Sequence, residues 1–219
     1  MRILLSALLI FGFQIWPVSG FSAPVNIMDR AGKHLPTLSE LANRHWSDAH
    51  MREVMAGQVE QESRWNPRAE LKTDREYGFG LAQITVTSRF DNFQAARQRL
   101  PPLRNWQWND RWNVRHQLTY LVMTDRANFQ ALRGLFEDDV NRWGGALVAY
   151  NAGMGTVLQR RALALKTLPS ASSKWFGGLD SVRLPGENRM LYGRNLGERR
   201  NEYPRLIIKV RAPKYRGML

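Results

Sequence analysis

The chain of 219 residues contains no cysteine. That excludes a disulfide framework, a thiolate nucleophile and any zinc–cysteine site, so the fold must be held by packing alone. Histidine is scarce: His34, His45, His50 and His116 are the whole supply of four. The closest pair, His45 and His50, is five apart rather than four, and no His-Glu-x-x-His pattern occurs, so no metal and no cofactor is expected. Low-complexity tracts and repeats of fixed period are missing as well. After the first 20 or so residues, no segment is apolar enough to cross a bilayer. Acidic residues are the minority, 19 against 32 Lys and Arg, for a net charge of +13. Such an excess favours an anionic partner, with nucleic acid and the anionic cell envelope as the two candidates.

What is present is a 43% hydrophobic composition, enough for one medium-sized domain with a sizeable core. The opening "MRILLSALLIFGFQIWPVSGFSA" places Arg2 before an apolar run from Ile3 to Trp16, then Pro17 and the small residues Ser19 and Gly20. This is the pattern of a secretory signal peptide over residues 1–20. It implies an exported protein of the periplasm or cell envelope, with no stable membrane span after signal cleavage. An exported chain meets the envelope first, so no nucleic acid partner is expected.

Residues 21–46, with Pro24 and Pro36, read as an irregular N-terminal arm. A domain over 47–211 follows, then a basic tail over 212–219 that is free to contact the envelope or a partner. Ser47 and Asp48 suit the start of a helix over about 48–64. Asn66-Pro67 ends it, because the residue before proline avoids helical geometry. Residues 66–86 suggest a loop and a short extended or hairpin segment. Further helices are expected near 87–100, 113–133 and 137–151, with a continuation over 156–166. A Ser-, Gly- and Pro-rich loop spans 167–186, and a last helix lies within 187–211. The fold class is therefore mainly α, an α+β arrangement with a small β element.

The segment "GQVEQESRWNP" (57–67) holds two acids two positions apart, Glu60 and Glu62. On a helical wheel, Met51, Met55 and Val59 form an apolar stripe that Glu62 continues. Glu60, about 200° away, is expected on the outer face. A partly desolvated acid in line with core residues has a raised pKa, as proton donation to a leaving oxygen near neutral pH requires. Glu62 is the candidate, although this helix alone favours its pairing with Arg64 or Arg68 at the surface. Tyr150 joins Trp143, Ala146 and Leu147 at helical spacing and faces inward. Such a tyrosine usually packs, its hydroxyl finding a partner.

In order along the chain stand "QESRWNPRA" (61–69), "GLAQIT" (80–85), "NVRHQLTYL" (113–121) and "AYNAG" (149–153). This series resembles the signatures of the lysozyme-like lytic transglycosylases related to the soluble lytic transglycosylase catalytic domain. The matches cover roughly half of the chain, with the Glu-Ser pair and Ala-Tyr-Asn-Ala-Gly the specific ones. "NEYPRLI" (201–207) is loosely similar to the family's closing segment. The resemblance implies a lysozyme-like fold with a glycan-binding groove. It implies that Glu62 is the single acid and base cleaving the bond between N-acetylmuramic acid and N-acetylglucosamine, leaving a 1,6-anhydro end. It further implies substrate-binding roles for Ser63, Gly80, Leu81, Gln83, Tyr150, Asn151 and Tyr203. The partner would be peptidoglycan glycan strands, and the short form suits a secretion, conjugation or phage apparatus.

Two departures keep alternatives open. Ala82 stands where many relatives have methionine, which predicts a more open groove wall. "DREYGFG" (74–80) is also similar to goose-type lysozymes, which implies Asp74, or less well Glu76, as a second carboxylate. That pair would make the chain a muramidase, hydrolysing through Glu62 and Asp74. A third reading is a non-catalytic protein that binds glycan or another anionic polymer. The cluster Trp106, Trp108 and Trp112 suits sugar stacking or packing, with packing expected for at least one of them.

Overall fold

The computed structural model describes residues 26–191 and 193–219; the expected signal segment lies outside the described residues. The architecture is mainly helical with a small antiparallel sheet, the α+β class expected from the sequence. The described chain forms two compact units. One, the sheet-bearing unit, comprises residues 26–124 and 209–219; the other, the helical unit, comprises residues 125–208.

The sheet-bearing unit opens with α1 (Ile27–His45), where an irregular arm is expected. Asn26 caps it by accepting from the Met28 amide at 3.0 Å, and Ala31, Leu35, Leu38 and Ala42 bury one face. Pro36 sits mid-helix, normally a break, because its ring displaces the carbonyl of the residue four back. Here Pro36 and Gly32 are both exposed, so water can satisfy the orphaned carbonyl. The apolar stripe outweighs the proline.

Helix α2 (Glu53–Ser63) starts later than Ser47 and Asp48 suggest, and neither residue caps it. Met51 lies before the helix with a left-handed φ of 55°. The Arg52 guanidinium donates to Asn43 Oδ1 and to the Ser47 carbonyl, which ties the α1–α2 turn together. Every α2 residue from Val54 to Glu60 is buried, so this helix has no solvent face over most of its length. Three antiparallel strands follow in the order β1 (Glu70–Lys72), β2 (Glu76–Phe79) and β3 (Ile84–Thr87). Helix α3 (Asn92–Arg99), capped by Asp91, is shorter than expected because β3 continues to Thr87. Two 3₁₀ turns, Pro101–Leu103 and Trp108–Asp110, lead to α4 (Val114–Ala131), whose later residues belong to the helical unit.

The closing residues return to α2. Far from being a free basic tail, Ala212–Tyr215 forms a 3₁₀ turn with Ala212 and Tyr215 buried. The contact depends on Gly57: a Cβ built there would stand 2.7 Å from the Ala212 amide nitrogen and 3.0 Å from its Cα. Alanine at 57 gains about 1 kcal/mol of helix propensity, but overpacking against immovable backbone costs about 1–3 kcal/mol. Gly57→Ala is therefore expected to lower the unfolding free energy in urea and to speed proteolysis within 209–219.

In the helical unit, α5 (Asp139–Ala152) is buried almost throughout its second half, capped by Asp138 and stopped at Gly153 with φ 85°. Its Gly144 and Gly145 make room for aromatic rings: a Cβ would approach Trp175 and Phe136 to 2.7 Å. Helix α6 (Met154–Thr167) begins directly afterwards. The expected loop over 167–186 contains a 3₁₀ turn, Pro169–Ala171, and a kinked turn at Trp175–Leu179. Asn141 Oδ1 holds the latter by accepting from the Trp175 and Phe176 amides. A two-residue hairpin, β4 (Met190–Leu191) and β5 (Arg194–Asn195), precedes α7 (Leu196–Leu206), which packs on α5.

Candidate active site

The two acids weighed from the sequence, Glu60 and Glu62, occupy different environments in α2, but not the ones the wheel predicts. Glu60 is no outward charge. It is 4% exposed, and both its oxygens accept: Oε1 from Lys214 Nζ at 2.6 Å and Oε2 from the Tyr215 hydroxyl at 2.7 Å. Arg211 Nε stands 3.9 Å away. The wheel assumed an outer face, and the residues that remove it lie 154 and 155 positions along the chain. Glu62, by contrast, is half-buried at the penultimate position of the helix.

The backbone then turns sharply. Arg64 and Trp65 both adopt left-handed geometry, with φ 52° and 60°, a conformation costly for residues other than glycine. Burial holds Trp65 there, fully enclosed with its Nε1 donating to the Tyr215 hydroxyl at 2.8 Å, while Arg64 is exposed and its N–H donates to the Glu60 carbonyl at 3.0 Å. Ser63 is buried, and its hydroxyl donates to the Val59 carbonyl at 3.0 Å. That proton is directed into α2, so any contact of Ser63 with a ligand would use the oxygen as acceptor.

Gly80, Leu81, Ala82 and Gln83 form the β2–β3 turn, and all four are buried. Ala82 is thus part of the packed turn. Gln83 has a left-handed φ of 44°. Its amide nitrogen donates to the Gly80 and Ala69 carbonyls at 3.2 and 3.4 Å. Gly80 donates its own N–H to Ala69 at 2.8 Å, so the segment after α2 and this turn are stitched together. The residue that sequence reasoning missed is Gln117 of α4, fully buried. It accepts from the Leu81 amide at 2.8 Å and donates to the Arg111 and Pro67 carbonyls at 2.8 and 3.1 Å. A Cβ at Gly80 would collide with this amide at 2.4 Å, and φ is +76° there, so glycine is required twice over. Gln117 lies inside "NVRHQLTYL", but its three partners come from separate loops, and no local pattern specifies them.

Asp74 is exposed on the β1–β2 turn, at the end of the sheet opposite Gly80–Gln83. The four-residue β2 between the two turns sets them roughly 13 Å apart. Glu76 is buried on β2.

The aromatic residues divide as well. Trp106 packs as expected, 1% exposed, with Nε1 donating to the Asp110 carbonyl and its ring edge-on to Phe93. Trp108 is 42% exposed. Arg111 lies over both Trp108 and Trp112, at 4.9 and 4.8 Å. Trp108 and Arg111 edge an open depression of about 610 Å³ that Tyr77, Glu70, Lys72 and Arg75 also line.

Tyr150, Asn151 and Tyr203 belong to the helical unit. All three are buried, the first two at the end of α5 and the third on α7, so the packing of α7 on α5 brings their helices together. The same unit contains a buried ionic cluster with no local sequence signal. Arg160 of α6 donates to both Glu187 oxygens at 2.9 and 3.0 Å, and Arg200 of α7 to Glu187 Oε1 at 2.7 Å.

Among the described residues, no three His, Asp or Glu side chains are grouped to hold a metal, and no helix is long and apolar enough to cross a membrane. No protein-family model matches the chain, and no curated protein matches it in sequence.

Proposed function

We propose that the protein is a peptidoglycan lytic transglycosylase with Glu62 as its single catalytic acid and base. One observation carries the choice of residue: of Glu60 and Glu62, the former is sealed and fully engaged, while Glu62 retains access to solvent at the helix end. An acid that must give a proton to a glycosidic oxygen and take one back needs that access. Glu62 would protonate the oxygen between N-acetylmuramic acid and N-acetylglucosamine. The bond from C1 to that oxygen breaks, and the N-acetyl group of the substrate stabilises the cationic centre. The muramoyl C6 hydroxyl then closes on C1 and returns its proton to Glu62. No water is consumed, and the product is a 1,6-anhydro end. Ser63, the Gly80–Gln83 turn, Tyr150, Asn151 and Tyr203 keep the glycan-binding roles that the resemblance implies. The export signal and the +13 charge suit an anionic cell wall in the periplasm or envelope,. A task at a secretion, conjugation or phage apparatus follows from the short form alone.

The hydrolytic alternative needs a second carboxylate to activate water. Asp74 is exposed on the far turn of the sheet, a poor place for that task. Asp74→Asn is expected to retain the rate within about twofold, since loop acids without partners in the chemistry contribute little. Turbidity clearing of purified sacculi measures this, and a loss of two orders of magnitude would favour the muramidase. The purely binding alternative is excluded if Glu62→Ala abolishes the clearing of sacculi while leaving their binding intact.

A further inference from the structure

α2 carries Glu62 on one side and meets the closing segment of the chain on the other. Glu53, Gly57 and Glu60 recur at helical spacing, and each meets that segment: Arg216 near Glu53, Ala212 against Gly57, Lys214 and Tyr215 on Glu60. Glu62 lies about 200° around the helix from Glu60, so the contact grips α2 without covering its acid.

The Tyr215 hydroxyl is the centre of this contact. It donates to Glu60 at 2.7 Å and accepts from the Trp65 indole at 2.8 Å, with the two rings 5.8 Å apart. One atom therefore joins residue 60, inside the last helical turn, to residue 65, beyond it. Between them stand Glu62 and the left-handed Arg64, and Trp65 itself is left-handed. Strained backbone of this kind persists only where its surroundings over-determine it. Burial, first, and the Glu60 hydrogen bond push the Tyr215 phenol well above its usual range, so it stays a donor throughout the range in which proteins fold.

We propose that Tyr215 is a positioning residue for the catalytic acid: through its paired hydrogen bonds to Glu60 and Trp65 it fixes the turn that aims Glu62. The inference rests on the transglycosylase reading of Glu62 for its consequence in catalysis, but its geometric part stands apart from that reading. It also gives Glu60 a purpose, as the anchor on which the closing segment locks.

Tyr215→Phe removes one hydroxyl and keeps the ring. Two measurements on the full chain decide the matter. Amide exchange is read at Ser63–Asn66, whose N–H groups include the Arg64 and Asn66 donors to Glu60 and Ser63 carbonyls. It is expected to accelerate about tenfold or more there, with α1 and α5 unchanged. The second is kcat on sacculi per folded molecule, well below the melting temperature. It is expected to fall about tenfold or more with KM nearly constant, because misplacement of a reacting group by an ångström costs rate rather than binding. Glu60→Gln, which keeps an acceptor for the hydroxyl, is expected to lose less in both measurements than Glu60→Ala. Unchanged exchange at 63–66 overturns the proposal, and so does a lowered melting temperature with kcat unchanged, which would mean a structural contact only. If the wild-type chain cleaves no glycan, the transglycosylase reading falls, and the exchange measurement alone then upholds or overturns the positioning role.

Discussion

Glu62→Gln is expected to slow glycan cleavage about 10³-fold or more, with the fold and the binding of sacculi intact. The size follows from the number of tasks assigned to one side chain. Acid catalysis and base catalysis each contribute about 10²–10⁴-fold, and in the proposed reaction the same carboxyl performs both in sequence. The amide matches the carboxyl in volume but carries no transferable proton, so packing at the end of α2 is preserved. Glu62 is only half-buried, so the neutral amide stays within reach of water. Glu60→Gln provides the contrast: it removes the charge that pairs with Lys214 and leaves one carbonyl acceptor for the Tyr215 hydroxyl where the carboxylate had two oxygens accepting. Its effect belongs chiefly to stability and positioning, and it must be far smaller than that of Glu62→Gln. Circular dichroism and sacculus pull-down on both variants separate chemistry from folding.

The largest stability effect is expected at Glu187. This side chain is 1% exposed between Arg160 at 0% and Arg200 at 3%. Glu187→Ala would leave two enclosed guanidinium groups without their shared carboxylate, a loss of about 3–5 kcal/mol. It would also free the Leu184 amide, which donates to Glu187 Oε2 at 2.9 Å. The pH dependence follows from the same geometry. Burial alone would raise the Glu187 pKa, but the charge of Arg160, the Leu184 amide and the hydrogen bonds from Arg200 and Arg160 outweigh it. The carboxyl is held below its ordinary 4.5. A carboxyl lowered by folding stabilises the protein above its unfolded pKa, and that contribution is lost as pH falls through the folded value. Wild-type melting temperature should therefore drop on acidification below about 4.5, and Glu187→Gln should flatten that part of the curve. Parallel curves for the two proteins would show that the cluster contributes nothing to acid sensitivity.

Helical content and the order of elements were readable from sequence where local signals agree. α5 has an acidic N-terminal cap, an inward stripe and a glycine stop, and its expected limits of 137–151 lie close to the observed 139–152. α1 was missed because two prolines outvoted a regular apolar stripe, although a proline on the exposed face of a helix costs less than one inside a core. Glu60 was misplaced for a different reason. The wheel ranks positions within one helix, but what covers each face is decided by residues far along the chain. Lys214, Tyr215 and Ala212 fall in a stretch with the composition of a loose basic tail. Gln117 and Glu187 share that origin: Gln117 collects partners from three loops and Glu187 from two helices, and only the folded chain brings those segments together. The wheel that misplaced Glu60 is also the one that proposes Glu62, and the half-buried place of Glu62 at the helix end supports that proposal on separate grounds.

The most direct test is mass spectrometry of the muropeptides that the purified wild-type protein releases from sacculi. Transglycosylation by Glu62 predicts fragments ending in 1,6-anhydro-N-acetylmuramic acid, one water lighter than the hydrolysed form, and none from Glu62→Gln. Reducing ends in their place, or no soluble fragments at all, would contradict the account.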